Sequence, residues 1–334
     1  MTTSSPAPGG LGDGCVRLEV CVCTHNPPRD VFDVCLRSLA RQTLRKSDYR
    51  ITIINNASTI PIDPEHFSVL RSHGVNYRVL DEPKLGNLFA RITAIKTAQA
   101  ELITFIDDDI EAPPDFLEAS LRVMAENPDV GVIGPRLLLP DHVRMPAWLY
   151  PVRAYLAIHD GENMGMQSVT EFVVEKWGPA EPPSAGATVR TAAVKDFLAY
   201  ENSPPDIQLG RRGRQEKGAI LSCEDALMFR AVHRKGYKCS YQPSLFVRHH
   251  LDPRRFSFRY CVRLLYGYGM SEPLVQHLTG YPVEPIGFTT MVMQCLKSLI
   301  KVEKNPSLRR RLMRCAWWYG FYQRTRQIQG AFIP

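Results

Sequence analysis

Apolar residues along this chain fall into short runs that alternate with longer stretches of helical spacing. Arg17 to Cys23 is a β-rich apolar run that stops at Thr24-His25-Asn26-Pro27-Pro28, a cluster of turn formers. Val31, Val34, Cys35 and Leu39 then recur at helical intervals, predicting a helix over 31–41. The same alternation continues with strands at 51–54, 75–80, 102–106 and 130–133. Helices are predicted at 88–98 and after Ala112-Pro113-Pro114, where proline suits a helix start. Strands alternating with helices predict an α/β fold with a mostly parallel sheet. Ligands of such sheets sit beyond the carboxyl ends of the strands, which is where the polar clusters of this chain fall.

Further on, the pattern loosens. Pro140 to Pro183 is irregular and carries Trp148, Tyr150, Tyr155 and Trp177, which reads as structure covering a substrate. Ser184 to Phe197 reads as a small-residue turn followed by a helix, and 207–218, with Arg211, Arg212 and Arg214, as a mobile basic loop. A helix over 223–235 and an extended segment over 240–248 follow. The predicted organisation is a flexible start (1–16), a catalytic domain (17–255) and a helical extension (256–334). The catalytic domain divides into a nucleotide-binding half, about 17–135, and an acceptor half, about 136–255.

Composition adds little to the class but much to the ends. With 334 residues, 44% hydrophobic and 22% charged, the chain is neither disordered nor fibrous. The nine cysteines are scattered without zinc-ribbon spacing, so reduced thiols are expected, with Cys21 and Cys23 on one face of a strand. The start lacks the basic-then-apolar pattern of a secretory signal, and the best apolar window, 286–300, is too short to span a bilayer. A cytoplasmic location is expected. Net charge is +7, and from Tyr281 to Pro334 nine basic residues face two acidic ones. The excess therefore belongs to the tail, where Trp317, Trp318 and Phe321 are interleaved with arginines. That mixture suits either peripheral contact with an anionic membrane or a helix packed on the domain. A nucleic-acid partner is not expected.

Three clusters carry candidate chemistry. Asp107-Asp108-Asp109 ends an apolar strand, and three carboxylates in one turn invite a divalent cation that also holds substrate phosphates. A solvated acidic turn before a helix is the plainer reading. Glu224-Asp225 opens a helix, where the dipole favours carboxylates anyway. Asp225 can act as a base if the fold brings it to the acidic turn. His249-His250 closes an apolar segment, so one imidazole can turn inward toward a metal.

In order, Cys21-Val22-Cys23-Thr24-His25-Asn26, Ile54-Asn55-Asn56-Ala57-Ser58, Phe105-Ile106-Asp107-Asp108-Asp109, Gly186-Ala187 with Arg190, Glu224-Asp225 and His249 resemble glycosyltransferase family 2. The resemblance covers about residues 17–255. It implies a GT-A (Rossmann-like) fold and inverting transfer from a nucleoside diphosphate sugar, usually UDP-linked, with Mn²⁺ or Mg²⁺. Carried over by residue, it places Thr24, His25, Asn26, Asn55, Arg91, Asp107 and Asp108 at the donor. Asp107, Asp109 and His249 would hold the metal, and Asp225 would be the base. Trp177, Gly186, Ala187 and Glu224 are candidates for the acceptor side. Asn55 stands where the family usually has aspartate, which leaves the base open, and Ile92 replaces the usual Asn after Arg91. The acceptor is not legible. A sugar-phosphate nucleotidyltransferase is the alternative enzyme, but its glycine-rich first turn is missing. A non-catalytic nucleotide-sugar binder is the alternative outside enzymes.

Overall fold

The computed structural model describes residues 16–161, 167–169, 183–202, 211–216, 219–220, 224–300 and 307–330. Its first half runs β1 (Leu18–Thr24), α1 (Arg29–Ala40), β2 (Tyr49–Asn56), α2 (Ser68–Ser72), β3 (Tyr77–Glu82), α3 (Asn87–Thr97), β4 (Leu102–Asp107), β5 (Ile110–Glu111), α4 (Phe116–Glu126) and β6 (Val130–Leu138). A 3-10 segment, Ala147–Leu156, leads into the second half. There follow β7 (Gln167–Val169), β8 (Thr188–Arg190), β9 (Arg211–Glu216), β10 (Ala219–Ile220), α5 (Glu224–Arg234), β11 (Lys238–His249), α6 (Phe258–Leu278), α7 (Phe288–Ile300) and α8 (Leu308–Gly330).

The main sheet has the order β3-β2-β1-β4-β8-β6-β11-β5, with β7 also paired to β11. Strands β3, β2, β1 and β4 are mutually parallel, as are β6 and β11. Because β8 lies antiparallel between β4 and β6, the strands β3, β2, β1, β4, β6 and β11 all share one direction, as expected, and only β5, β7 and β8 run against them, which makes the sheet mixed. Helices cover both faces. One core layer holds Val20, Val22, Phe32, Leu36, Phe116 and Val247. The other holds Cys21, Ile92, Phe105, Val189, Phe229 and Cys239. Burial on both faces explains the unbroken apolar reading of β1 and β4.

Glu19 is the exception inside β1. Its fully buried carboxylate accepts from Arg50 (2.7 Å), from Arg78 (3.0 Å) and from Thr52 Oγ1. Burial alone would raise its pKa, but these partners outweigh it and hold the group below the ordinary glutamate value.

Two expectations change. The segment after Ser184 forms a turn, then β8, then a 3-10 stretch (Lys195–Asn202) instead of a helix. Thr188 and Val189 have β-branched side chains, and two flanking strands await them. Arg190 then clamps the end of α4 through the carbonyls of Met124 (2.7 Å) and Asn127 (3.2 Å). The described part of the basic loop is β9 paired with β10.

The C-terminal helices share a third cluster with the sheet domain, joining Leu149, Leu156 and Leu251 to Cys261, Leu264 and Met313. Helix α8 lies tightly along α6. A Cβ on Gly269 would stand 2.0 Å from the Trp317 carbonyl oxygen, and one on Gly320 would stand 2.3 Å from that of Tyr266. Trp317 stacks on Phe321 with centroids 5.3 Å apart.

Candidate active site

The carboxyl ends of β1, β2, β4 and β11 converge on the acidic turn. Its three aspartates do not simply repel one another, because each has a separate partner. Asp107 faces Arg91, Asp108 accepts from Thr24 Oγ1 at 2.5 Å, and Asp109 faces His249 and Arg255. From below, the Cys35 thiol of α1 points at the Asp107 carbonyl (3.7 Å).

The loops after β1 and β2 are laced together. Asn26, at φ +48°, accepts from the amides of Thr59 (2.8 Å) and Ile60 (3.2 Å), while His25 Nδ1 meets the Asn56 carbonyl at 2.8 Å. Asn55 donates to Asp81 at 2.8 Å, and its carbonyl Oδ1 is buried without a partner. Asn56, given no role in the sequence reading, accepts from Gly86 N (2.7 Å) and donates to Lys84 O (2.7 Å). It thereby fixes the loop that opens α3.

Arg91 of α3 joins the two acidic motifs. Only 2% of its side chain is exposed, and its Nη2 lies 3.8 Å from Asp107 Oδ1 and 3.6 Å from Glu224 Oε1. Burial disfavours the charge, but Glu224, Asp107 and Asp225 more than compensate, holding the guanidinium above its ordinary pKa. Its Nη1 is buried with no hydrogen-bond partner. Glu224 also accepts from Asn87 of α3 at 3.3 Å. The start of α5, with Asp225 beside Glu224, is therefore tied to the end of β4. Asp225 Oδ1 accepts from the Ala226 amide at 3.0 Å. Nearby, burial pushes the Cys23 thiol up to about 12, with Arg91 opposing and the surrounding carboxylates reinforcing the shift. A neutral thiol is a poor nucleophile and metal ligand.

At the opposite side of the turn, His249 Nε2 lies 3.3 Å from Asp109 Oδ2. Its Nδ1 meets the Ala157 carbonyl at 3.2 Å. A backbone carbonyl at Nδ1 fixes the ring and leaves Nε2 free for a cation, the usual support of a metal-binding histidine. His250 instead pairs with Glu111 at 2.8 Å. Among the described residues, no three of His, Cys, Asp and Glu are grouped as a metal site on their own. Asp109 and His249 could hold a divalent ion that takes its remaining ligands from phosphate oxygens and water, while Asp107, on the same turn, faces Arg91. Arg255, missed from sequence, lies 3.5 Å from Asp109 Oδ2. It follows β11 in a 3-10 turn, and only the fold brings it to the acidic turn.

Gly186 and Ala187 run beside the end of β4. Gly186 N donates to Phe105 O (2.8 Å), and Ala187 O accepts from Phe105 N (2.9 Å). The Ala187 methyl is fully buried and faces the core. Gly186 has φ +81°, and a Cβ there would meet Pro135 at 2.7 Å. Trp177 lies outside the described residues.

The sequence comparisons point to glycosyltransferases. The model of glycosyl transferase family 2 matches residues 19–173. The glucosyl-dolichyl phosphate glucuronosyltransferase of Haloferax volcanii is 22% identical over 268 residues, 80% of this chain and 79% of that protein. Among solved structures, TarS 1-349 of S. aureus is 15% identical with TM-score 0.48, covering 94% of this chain and 92% of that one. The mannosyltransferase PcManGT of Pyrobaculum calidifontis, in complex with GDP-Man and Mn²⁺, is 15% identical with TM-score 0.49, covering 95% and 75%.

Proposed function

We propose that this chain, which the model of glycosyl transferase family 2 matches over residues 19–173, transfers a sugar, with inversion, from a nucleoside diphosphate donor to an acceptor hydroxyl. The observation that carries this reading is the Arg91 bridge, which sets the Glu224–Asp225 helix start against the acidic turn. A donor at the acidic turn and a base at α5 are the two halves an inverting displacement needs.

In this reading the nucleoside lies against the β1 and β2 loops, near Thr24, His25, Asn26 and Asn55. UDP is the donor we favour. Asp109 and His249 would hold Mn²⁺ or Mg²⁺, which when bound neutralises charge on the diphosphate. Arg255 stands beside them as a second positive charge for the same phosphates. Asp225 takes the proton of the acceptor hydroxyl as that oxygen attacks the anomeric carbon on the face opposite the diphosphate. Glu224, held by Arg91 and Asn87, orients the base on the acceptor side.

For the acceptor we propose a lipid-linked sugar. The Haloferax volcanii relative, which aligns over most of both chains, is named for transfer to glucosyl-dolichyl phosphate. A lipid-linked acceptor calls for a peripheral position at the membrane, to which the basic tail is suited. The test is calorimetric titration of UDP- and GDP-linked sugars with and without Mn²⁺, followed by donor turnover with polyprenyl-phosphate sugars. Metal-dependent binding of one nucleotide sugar supports the reading. Tight donor binding with neither transfer nor hydrolysis would make the chain a binder instead.

A further inference from the structure

Helices α7 and α8 form an antiparallel hairpin. Phe288 meets Tyr322 with ring centroids 6.2 Å apart. Cys295 and Cys315 each direct a thiol at the other's carbonyl, at 3.8 and 3.6 Å. Arg311 donates to the Leu299 carbonyl. On its far side α8 is locked to α6 through Gly269 and Gly320. The tail is therefore packed on the domain, yet a large apolar surface stays open.

Met293, Leu296 and Ile300 are exposed at i, i+3 and i+7 of α7, and Leu308, Leu312 and Tyr319 at i, i+4 and i+11 of α8. Each set is a single stripe along its helix. The contacts of α7 fall at 288, 295 and 299, and those of α8 at 311, 315 and 322. Antiparallel helices turn in opposite senses when viewed from one end, so a step of about 100° per residue brings both stripes to the same side of the hairpin. Ile300 is 71% exposed and Leu308 66%, both where α7 ends and α8 begins. Beside them Arg309 lies over the Trp148 ring at 5.0 Å, and exposed Tyr150 carries Arg153 at 5.8 Å.

We propose that this face docks on the surface of an anionic lipid bilayer. Neither α7 nor α8 contains a carboxylate, whereas Lys297, Arg309 and Arg326 are exposed on them. Aliphatic side chains can enter the acyl boundary while arginine and aromatic groups stay at headgroup level. A second copy of the chain fits less well, since a two-fold contact would set the same cations against each other. No helix among the described residues is long and apolar enough to cross a membrane, and the docking proposed for this face is peripheral. The inference stands on the hairpin surface alone and does not need the transfer chemistry proposed above.

The experiment is co-sedimentation of the full chain with vesicles of phosphatidylcholine, alone or mixed with phosphatidylglycerol, at low and high salt. Recovery with the mixed vesicles at low salt, and release by salt, is the expected result. Ile300→Glu and Leu308→Glu are surface changes that should leave the melting temperature unaltered. Each should weaken partition by about tenfold or more, since an exposed aliphatic anchor becomes an anion. Equal binding by these variants overturns the proposal, as does indifference to phosphatidylglycerol. A dimer in sedimentation velocity that Ile300→Glu dissociates would also overturn it, by giving the face to a second copy.

Discussion

Replacing Arg91 by methionine isolates the contact that links the two halves of the site. The side chain is 2% exposed, its partner Glu224 11% and Asp107 23%, so its removal leaves two carboxylates in a poorly hydrated place. Breaking a buried ion pair from one side costs about 3–5 kcal/mol. Two features reduce this. The separations of 3.6 and 3.8 Å are those of ion pairs and not of tight hydrogen bonds. The change also removes the unpartnered buried Nη1, itself a liability of about 1–3 kcal/mol. A net loss of about 2 kcal/mol is expected, a large part of the roughly 5–15 kcal/mol that holds a typical domain together. Urea unfolding of Arg91→Met, Glu224→Gln and the double variant measures it. Removing the Glu224 charge should recover part of the loss, giving a coupling energy of about 1 kcal/mol or more. Additive effects within about 0.5 kcal/mol would mean that Arg91 and Glu224 do not sense each other, and the bridge would be lost as an organising contact.

Asp225→Asn should leave donor binding within a few-fold of the parent and slow transfer by roughly 10²–10⁴, read from single-turnover rates; equal losses in both would make Asp225 a helix cap. Asp109→Ala should abolish the Mn²⁺ dependence of donor binding in calorimetry, and unchanged metal dependence would remove Asp109 from the cation. Glu19→Gln should flatten the acid limb of stability. Because the folded pKa of Glu19 lies below its ordinary value, its contribution is present at neutral pH and is lost as pH falls through the carboxylate range toward the folded pKa. Urea midpoints at neutral and acid pH compare the two proteins, and identical slopes would show that Glu19 gains nothing from Arg50 and Arg78.

The strands that carry the site were legible because both of their faces are buried. Such strands read as largely apolar runs, and the polar residues that end them stand out, as at Thr24 and Asp107. Strand β8 was not legible. Its three residues owe their conformation to β4 and β6, distant partners that no local pattern reports. The convergence of α5 on the acidic turn was equally hidden, since Asn87 and Glu224 are 137 positions apart. An arginine inside a helix reads as solvent-facing, so the burial of Arg91 gave no warning. In the tail the tryptophans drew attention, yet Trp317 stacks within α8, and the open face belongs to aliphatic residues such as Leu296 and Ile300.

The position of β8 bears on how this protein is made and cut. The matched family segment ends at residue 173, before β8 exists. Thr188 to Arg190 fill the slot between β4 and β6, and Thr104 and Thr188 join hydroxyls across it at 2.7 Å. A fragment ending at the segment boundary would present two bare strand edges facing each other, a template for pairing with other chains. On the ribosome the same gap stays open until residue 190 has emerged, so the strands before β8 cannot close their sheet ahead of it. Any chimera that swaps one half for another has to carry this strand across with it.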